Sequence, residues 1–243
     1  MLYALTKNQN RYLTVMTKQT GKFIVFEGCD YSGKSTVSAM ITEWLKEQKI
    51  DALLTKHPGS TMIGKELRKI VKESSASIDE NTEALIMASD NSSFINQILI
   101  PSLKSGAWVI GDRNNFISSM AYQIASGCSF AQLDKVHAAT AENPPLIDLL
   151  LIFRINPEVH AERCKLRPKV KRDNFEDRGN AYTKKVINAY DNLLNEQSGR
   201  LLRFVKTTAD IDVGDIPRCL YIDSNRPVEE VFEECKSIIK SML

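Results

Sequence analysis

Histidine is scarce in this sequence, and closely paired cysteines are absent. There are three histidines in 243 residues, and the five cysteines (Cys29, Cys128, Cys164, Cys219 and Cys235) include no C-x-x-C pair. This argues against a zinc site, whose cysteine and histidine ligands usually lie at short spacings. An odd number of scattered cysteines also argues against a disulfide framework and is typical of a reducing compartment. We therefore expect the protein to be cytoplasmic.

The sequence also lacks an excess of charge and a long apolar run. Its 32 basic and 30 acidic residues leave a formal net charge of +2. Such a balance gives no electrostatic signal for binding to nucleic acid or to a membrane surface. No apolar run reaches the roughly 18 residues that a membrane-spanning helix needs. We expect neither nucleic acid nor a membrane as a partner.

Acidic residues are missing from the first 22 positions, which contain Lys7, Arg11, Lys18 and Lys22. This segment has no apolar core of about 7–15 residues, so it does not resemble a secretory signal, and its few arginines disfavour an organelle transit peptide. We predict that residues 1–20 form a flexible extension, or that translation starts at Met16. Residues 21–243 are expected to form a single domain.

The most informative stretch is FIVFEGCDYSGKST, residues 23–36. Its first four residues are apolar and predict a buried strand, and the apolar spacing after it is that of a helix. The residues between them match the pattern G-x-x-x-x-G-K-[ST]. A strand, a glycine-rich turn and a helix, in that order, form the context in which this pattern indicates a phosphate-binding loop.

The chemistry of such a loop follows from its backbone. Glycines allow backbone N–H groups to turn inward around an anion, and the helix N-terminus adds partial positive charge. Lys34 is expected to reach the β- and γ-phosphates of ATP, and the Ser35 hydroxyl is expected to bind Mg²⁺. Cys29, inside the loop, is interpreted as a small filler residue rather than an oxidation-sensitive thiol. The predicted ATP-binding residues are Gly28, Ser32, Gly33, Lys34, Ser35 and Thr36.

Strands and helices are predicted to alternate along the chain. Five short apolar runs predict strands at residues 23–26, 51–56, 108–113, 148–154 and 219–223. Since these runs are continuous rather than alternating, they favour an α/β fold with a parallel sheet covered by helices on both faces. Ligands bind such sheets beyond the carboxyl ends of the strands. Residues 27–30, 56–61 and 112–113 should therefore build one site.

Two features of this predicted site suit phosphoryl transfer, which depends on positioning and charge neutralisation. Asp112 at a strand end can hold Mg²⁺, and Arg113 can bind an acceptor phosphate through its planar fork. A basic block at residues 163–178 is interpreted as a lid that closes over the phosphates. A solvated charged helix or a nucleic-acid patch is the alternative for this block, although its interspersed acids and its lack of aromatic interleaving weaken the second.

Five motifs follow one another along the chain in a recognisable order. Residues 26–36 (FEGCDYSGKST) resemble F-E-G-x-D-x-x-G-K-S-T, and residues 55–61 (TKHPGST), with Gly64 and Arg68, resemble T-R-E-P-G-G-T-x-x-G-x-x-x-R. Residues 100–113 (IPSLKSGAWVIGDR) resemble I-P-A-L-x-x-G-x-x-V-I-x-D-R, and residues 118–123 (SSMAYQ) resemble S-S-L-A-Y-Q. Residues 221–231 (YIDSNRPVEEV) resemble the C-terminal I-D-A-x-x-P-x-E-E-V. In this order and spacing, the five motifs resemble those of the thymidylate kinase family.

This resemblance implies a P-loop NTPase fold, a five-stranded parallel sheet in three α/β/α layers. It implies the reaction ATP + dTMP → ADP + dTDP with Mg²⁺, in a homodimer. Asp30 would meet the deoxyribose 3′-hydroxyl, Tyr122 would stand where a ribose 2′-hydroxyl would clash, and Ser119 would lie near the base. The implied substrate-binding residues are Asp30, Pro58, Arg68, Met87, Asn91, Arg113, Ser119, Tyr122 and Gln123, and the implied metal ligands are Ser35 and Asp112.

The sequence departs from the family at the base and at the lid. Met87 stands where a phenylalanine stacks on thymine, and Asn91 stands where an arginine donates to the base O4. Asn174 replaces the usual lid arginine, and Tyr31 supplies no basic substitute in the phosphate loop. Arg172 is therefore the first candidate for the catalytic arginine, followed by Arg167 and Arg178. The predicted catalytic residues are Lys34, Arg172, Arg113 and Asp30.

These departures keep other functions open at the level of the sequence. One is a nucleotide kinase for a different or modified base, or a nucleoside kinase on the same scaffold. The other is a nucleotide-binding regulator with weakened catalysis, suggested by the missing lid and loop arginines.

Overall fold

The computed structural model describes residues 21–74, 77–141, 143–166, 173–196 and 219–243. The predicted N-terminal extension lies outside the described residues, as does the centre of the predicted lid, residues 167–172. The candidate catalytic Arg172 and its alternative Arg167 therefore lie outside them as well.

A five-stranded parallel sheet forms the centre of the protein, which confirms the predicted fold class. The strand order is β2-β3-β1-β4-β5, so the strand that precedes the phosphate loop is central. The strands are β1 (Phe23–Gly28), β2 (Ala52–Lys56), β3 (Trp108–Asp112), β4 (Leu149–Arg154) and β5 (Cys219–Asp223).

Helices connect the strands and cover both faces of the sheet. In the described part of the chain they are α1 (Lys34–Glu47), α2 (Met62–Glu73), α3 (Glu80–Phe94), α4 (Ile100–Ser105), α5 (Asn115–Ser126), α6 (Phe130–Ala138), α7 (Pro157–Leu166), α8 (Gly179–Glu196) and α9 (Val228–Lys240). None of these helices combines the length and hydropathy that crossing a membrane requires.

The central strand explains the two-sided core. Successive side chains of a strand point to opposite faces. Phe23 and Val25 accordingly pack into one buried cluster, with residues of α3, α5 and α8. Ile24 and Phe26 pack into a second cluster, with residues of α1 and α9. A continuous apolar run is thus buried on both faces, as the sequence predicts.

The helical stretch from Glu80 to Ser105 is interrupted. A π-helical turn, Ile95–Leu99, separates α3 from α4. It lies immediately before Pro101, whose nitrogen has no hydrogen to donate to the preceding turn. The chain nevertheless stays helical across the junction, so Pro101 restarts the helix rather than ending it.

The register of the sheet brings three strand ends together. Asp112 at the end of β3 lies opposite Phe26 of β1 on one side and Lys56 of β2 on the other. The loops that follow these strands therefore meet at one edge of the sheet, where the sequence predicts the site.

Candidate active site

The phosphate loop joins β1 to α1 through backbone conformations that glycine adopts readily. Gly28 has φ 139°, and a Cβ there would lie 2.6 Å from the Phe153 carbonyl oxygen. Gly33 has φ 88° and precedes the first residue of α1. A side chain at either position would strain the turn that presents the helix N-terminus.

Lys34 begins α1, and its side chain is 4% exposed. Its ammonium donates to the Cys29 carbonyl at 3.2 Å and lies 3.9 Å from the Asp30 carboxylate. Burial and the nearby positive charge of Arg113 lower the pKa of Lys34. A buried ammonium over an anion-binding loop is placed to contact phosphate oxygens.

Ser35 and Asp112 form an oxygen pair at the edge of the loop. The Ser35 hydroxyl donates to Asp112 Oδ2 at 2.7 Å. Among the described residues, the buried Asp112 Oδ1 has no hydrogen-bond partner. A hydroxyl beside a carboxylate with an unsatisfied oxygen is a donor set that suits Mg²⁺.

The remaining loop residues differ in exposure. Ser32 is buried, and its hydroxyl has no partner in the part of the chain that the structure describes. Thr36 lies exposed in the first turn of α1. Burial raises the pKa of the Cys29 thiol to about 12. Cys29 therefore stays protonated near neutral pH, which supports its interpretation as a filler residue.

Arg113 organises the centre of the site. Its guanidinium donates to Asp30 Oδ1 at 2.8 Å, to the Tyr122 hydroxyl at 2.9 Å, to the Gly28 carbonyl at 2.9 Å and to the Tyr190 hydroxyl at 3.1 Å. Although burial opposes ionisation, Arg113 and Lys34 hold the pKa of Asp30 well below its usual range. Both terminal nitrogens of Arg113 thus contact protein groups, and the carboxylate of Asp30 is kept charged.

Glu27 lies beneath this network, and the sequence analysis placed it among the site residues 27–30 without assigning it a role. It is fully buried and accepts hydrogen bonds from the Asn114 N–H at 2.7 Å, the Ser118 hydroxyl at 2.9 Å and the Tyr190 hydroxyl at 2.8 Å. The signal in the sequence was an acid at the end of a wholly apolar strand. Such a buried carboxylate needs several donors, and here they come from three elements.

A cavity of about 210 Å³ extends from the phosphate loop between α2, α3 and α5. Its walls are concave and mixed polar and apolar, as in sites for small molecules. The structure brings ten predicted site residues to its lining: Asp30, Lys34, Ser35, Pro58, Arg68, Met87, Asp112, Arg113, Tyr122 and Gln123.

The two ends of the cavity differ in chemistry. Near the loop that follows β2, Arg68 donates to the Pro58 carbonyl at 3.0 Å and adds a cation to the wall. At the far end, Met87 packs against Val71 and Phe175. We refer to the part around Lys34, Asp112 and Arg113 as the phosphate end and to the part around Met87, Gln123 and Phe175 as the base end.

Comparison with known proteins identifies the family. A family model described as thymidylate kinase matches residues 26–212. The chain belongs to the thymidylate kinase family. A thymidylate kinase from Caldicellulosiruptor saccharolyticus is 30% identical over 224 residues, covering 92% of this chain and 98% of that relative. One from Legionella pneumophila (strain Corby) is 30% identical over 230 residues, covering 94% and 98%. A probable thymidylate kinase from Pyrococcus horikoshii is 36% identical over 151 residues, covering 60% and 71%.

Two residues that the family pattern predicts at the base do not reach the cavity. Asn91 is buried behind the base end, where its amide nitrogen lies 3.5 Å from the Thr140 hydroxyl. Its side chain is shorter than the arginine of the family and ends at that contact. Ser119 is buried on α5 and lies 3.2 Å from His137 Nε2.

The phase of α5 explains the position of Ser119. Asn114 caps this helix by accepting from the N–H groups of Phe116 and Ile117 at 3.1 and 3.2 Å. Successive helical residues point about 100° apart, so two neighbouring serines cannot share one face. Ser118 lines the cavity and bonds to Glu27, whereas Ser119 points away from it.

The segment Asp173–Arg178, after the centre of the predicted lid, closes one side of the cavity. Glu176 accepts from the Tyr31 hydroxyl of the phosphate loop at 2.7 Å, and Asp173 pairs with Lys72 of α2. Asn174 donates to the carbonyls of Val71 and Ser74 at 3.2 and 3.1 Å. Where the family often has an arginine, this chain therefore has an asparagine that holds the segment against the end of α2.

Two described cations of the basic block, Arg163 and Arg178, have structural partners. Arg163 donates to the Tyr31 carbonyl at 3.2 Å and to the Ser224 carbonyl at 2.7 Å, joining the phosphate loop to the loop after β5. Arg178, a candidate catalytic arginine, pairs with Glu83 at the base end instead. No local sequence pattern pointed to Lys72, Glu83 or Phe175, because each gains its place from a distant segment.

Proposed function

We propose that the protein transfers the γ-phosphoryl group of ATP to dTMP, giving ADP and dTDP. The observation that carries this proposal is that Asp30, Lys34 and Ser35 of the phosphate loop share one cavity with Arg68, Met87 and Gln123. Donor and acceptor groups are thereby confined to one small space. Membership of the thymidylate kinase family supports dTMP as the acceptor.

The donor phosphates are assigned to the loop backbone and Lys34. The ATP-binding residues in this proposal are Gly28, Ser32, Gly33, Lys34, Ser35 and Thr36. Ser35 and Asp112 would hold Mg²⁺, which supplies charge neutralisation between the β- and γ-phosphates when bound. The unsatisfied Asp112 oxygen supports this assignment.

The acceptor is assigned to the opposite wall. Arg68, next to Pro58, faces the acceptor phosphate. Asp30 accepts from the deoxyribose 3′-hydroxyl, since Arg113 keeps its carboxylate charged and fixed. Tyr122 is held against Asp30 by a 3.2 Å hydrogen bond, which supports its assigned role in excluding a ribose 2′-hydroxyl.

Arg172 remains our candidate for the cation that meets the transferred phosphoryl group, within a lid at residues 163–178. Its chain neighbour Asp173 lines the cavity and is held there by Lys72. The lid would exclude water during transfer, so that the γ-phosphoryl group reaches dTMP instead.

We also propose that the protein is a cytoplasmic homodimer. Met62 and Ile63 on α2 and Leu85 on α3 are 86%, 51% and 55% exposed. Exposed apolar side chains such as these suit an interface with a second copy. Sedimentation of the purified protein tests this assembly.

The proposed reaction is tested by measuring ADP formation from ATP and Mg²⁺ with dTMP, dUMP, dCMP, dGMP and thymidine as separate acceptors. We expect the highest kcat/KM with dTMP, with dTDP identified by anion-exchange chromatography. Preferred turnover of thymidine would instead indicate a nucleoside kinase. Absence of turnover with every acceptor, while ATP still binds, would indicate a regulator.

A further inference from the structure

The amide of Gln123 at the base end has a determined orientation. Its Nε2 donates to Glu83 Oε1 at 2.6 Å. An ionised carboxylate can only accept hydrogen bonds, so the amide group that faces it must be NH₂. Gln123 Oε1 is buried and has no hydrogen-bond partner among the described residues. Because Gln123 lines the cavity, this oxygen is the amide atom left for a ligand.

Glu83 is in turn held by Arg178. The Arg178 guanidinium pairs with Glu83 Oε2, leaving Oε1 to Gln123. Arg178 also donates to the hydroxyls of Ser126 at 2.7 Å and Tyr182 at 3.0 Å. Three acceptors thus hold the guanidinium, and the guanidinium holds the carboxylate. Arg178 and Gln123 thus both donate to Glu83, and the two hydrogen bonds converge on its carboxylate, which can only accept.

We infer that Glu83, held by Arg178, is a positioning residue that determines base specificity by keeping Gln123 as a hydrogen-bond acceptor toward the cavity. An acceptor at this point matches the N3–H of thymine or uracil, whereas cytosine presents an unprotonated N3. This inference rests on the proposed function, since it assigns the base end to a pyrimidine. Beyond the proposed function, the inference states that the choice of base depends on the Glu83 carboxylate, which acts through Gln123 and need not contact the substrate.

Replacing Glu83 with glutamine should invert the amide of Gln123. Arg178 would continue to donate, so it would take the oxygen of the new amide. The NH₂ group of that amide would then face Gln123, which would turn its own oxygen toward residue 83. The NH₂ group of Gln123 would be left for the cavity, where it matches the N3 lone pair of cytosine. A nearly isosteric substitution thus reverses the hydrogen bonds of Gln123, and it also removes the negative charge that pairs with Arg178.

The test compares kcat/KM for dTMP and dCMP in the full-length protein and in Glu83→Gln. We expect the wild type to prefer dTMP by at least about tenfold, and Glu83→Gln to lower that ratio by about 10–100-fold, as expected when a site's buried polar groups mismatch a substrate. Glu80→Gln is the matched control, because Glu80 lies exposed one turn earlier on α3, and it should leave the ratio unchanged. An unaltered ratio in Glu83→Gln overturns the inference.

Two further measurements keep the inference separate from folding defects and from the proposed function. In a Gln123→Leu background, Glu83→Gln should have no effect on the ratio, and a persisting effect would show that Glu83 does not act through Gln123. A wild type without preference between dTMP and dCMP would overturn the inference even if Glu83→Gln failed to fold. If the wild type shows no turnover at all, the proposed function fails, and calorimetric binding of dTMP and dCMP to both proteins then decides the inference.

Discussion

The phosphate end and the base end of the cavity are built in different ways. The phosphate end consists largely of backbone and of side chains next to strand ends, and its shape is determined by glycines in one short loop. The base end consists of side chains from α3 and α5 and from the segment Asp173–Arg178, joined by contacts such as Glu83–Arg178, 95 residues apart. In our proposal the first end binds the phosphates, and the second selects the base.

The largest effect is expected at the phosphate end. Lys34→Ala removes the buried ammonium over the loop. We expect kcat to fall by about 10²–10³-fold, as when a preorganised group that stabilises transition-state charge is lost. The measurement is ADP formation at saturating ATP and dTMP.

Lys46→Ala serves as the control for this change. Lys46 lies on the same helix but is half exposed, and it pairs only with the exposed Glu43 among the described residues. Its removal should leave kcat within about twofold, because exposed ion pairs contribute little. Equal losses in both variants would contradict the assignment of Lys34.

An intermediate effect is expected where the two ends meet, at Arg113. Arg113→Lys retains the charge but not the fork that holds Asp30, Tyr122 and Tyr190 together. We expect the free energy of unfolding to fall by about 2 kcal/mol, because buried acceptors lose their donors. The KM for dTMP should rise more than the KM for ATP, since Asp30 belongs to the acceptor site in our proposal. Urea denaturation and steady-state kinetics measure the two effects.

Arg154→Lys is the matched control, because it also alters an arginine that pairs with an aspartate. Arg154 donates to Asp191 at 2.8 Å, but its side chain is 46% exposed. We expect a change below about 0.5 kcal/mol. A similar loss at both arginines would mean that the Arg113 network adds nothing beyond an ordinary surface pair.

The difference between the phosphate end and the base end also explains how much could be predicted from the sequence. The sheet, the phosphate loop and the meeting of three strand ends follow from local patterns, namely apolar runs and a glycine spacing. Asn91 shows what a local pattern cannot predict. The family pattern aligns Asn91 with the base-reading position, but the direction of its side chain depends on the distant Thr140. Asn174 shows the same limit. The absence of the usual lid arginine was visible in the sequence. The hydrogen bonds that Asn174 donates to the end of α2 were not, because they join segments about a hundred residues apart.

The smallest effect is expected behind the base end, at His137. Burial lowers the pKa of His137 from 6.5 to about 4, and its ring packs against Phe116 with Nε2 at 3.2 Å from the Ser119 hydroxyl. Between these two pH values the unfolded chain binds a proton that the folded protein does not. The contribution of His137 to stability is therefore complete above pH 6.5 and is lost as the pH falls toward 4.

We expect this linkage to cost the wild type about 2 kcal/mol between pH 7 and pH 5. His137→Gln removes the titration but keeps a polar group near Ser119, so its stability should fall less over the same range. Urea denaturation of both proteins at the two pH values isolates the contribution of His137 to the change in stability, because the other titrating groups are common to both. Parallel curves would contradict a buried neutral histidine. A flatter curve with an unchanged preference for dTMP over dCMP would show that His137 supports the fold behind the base end without taking part in selecting the base.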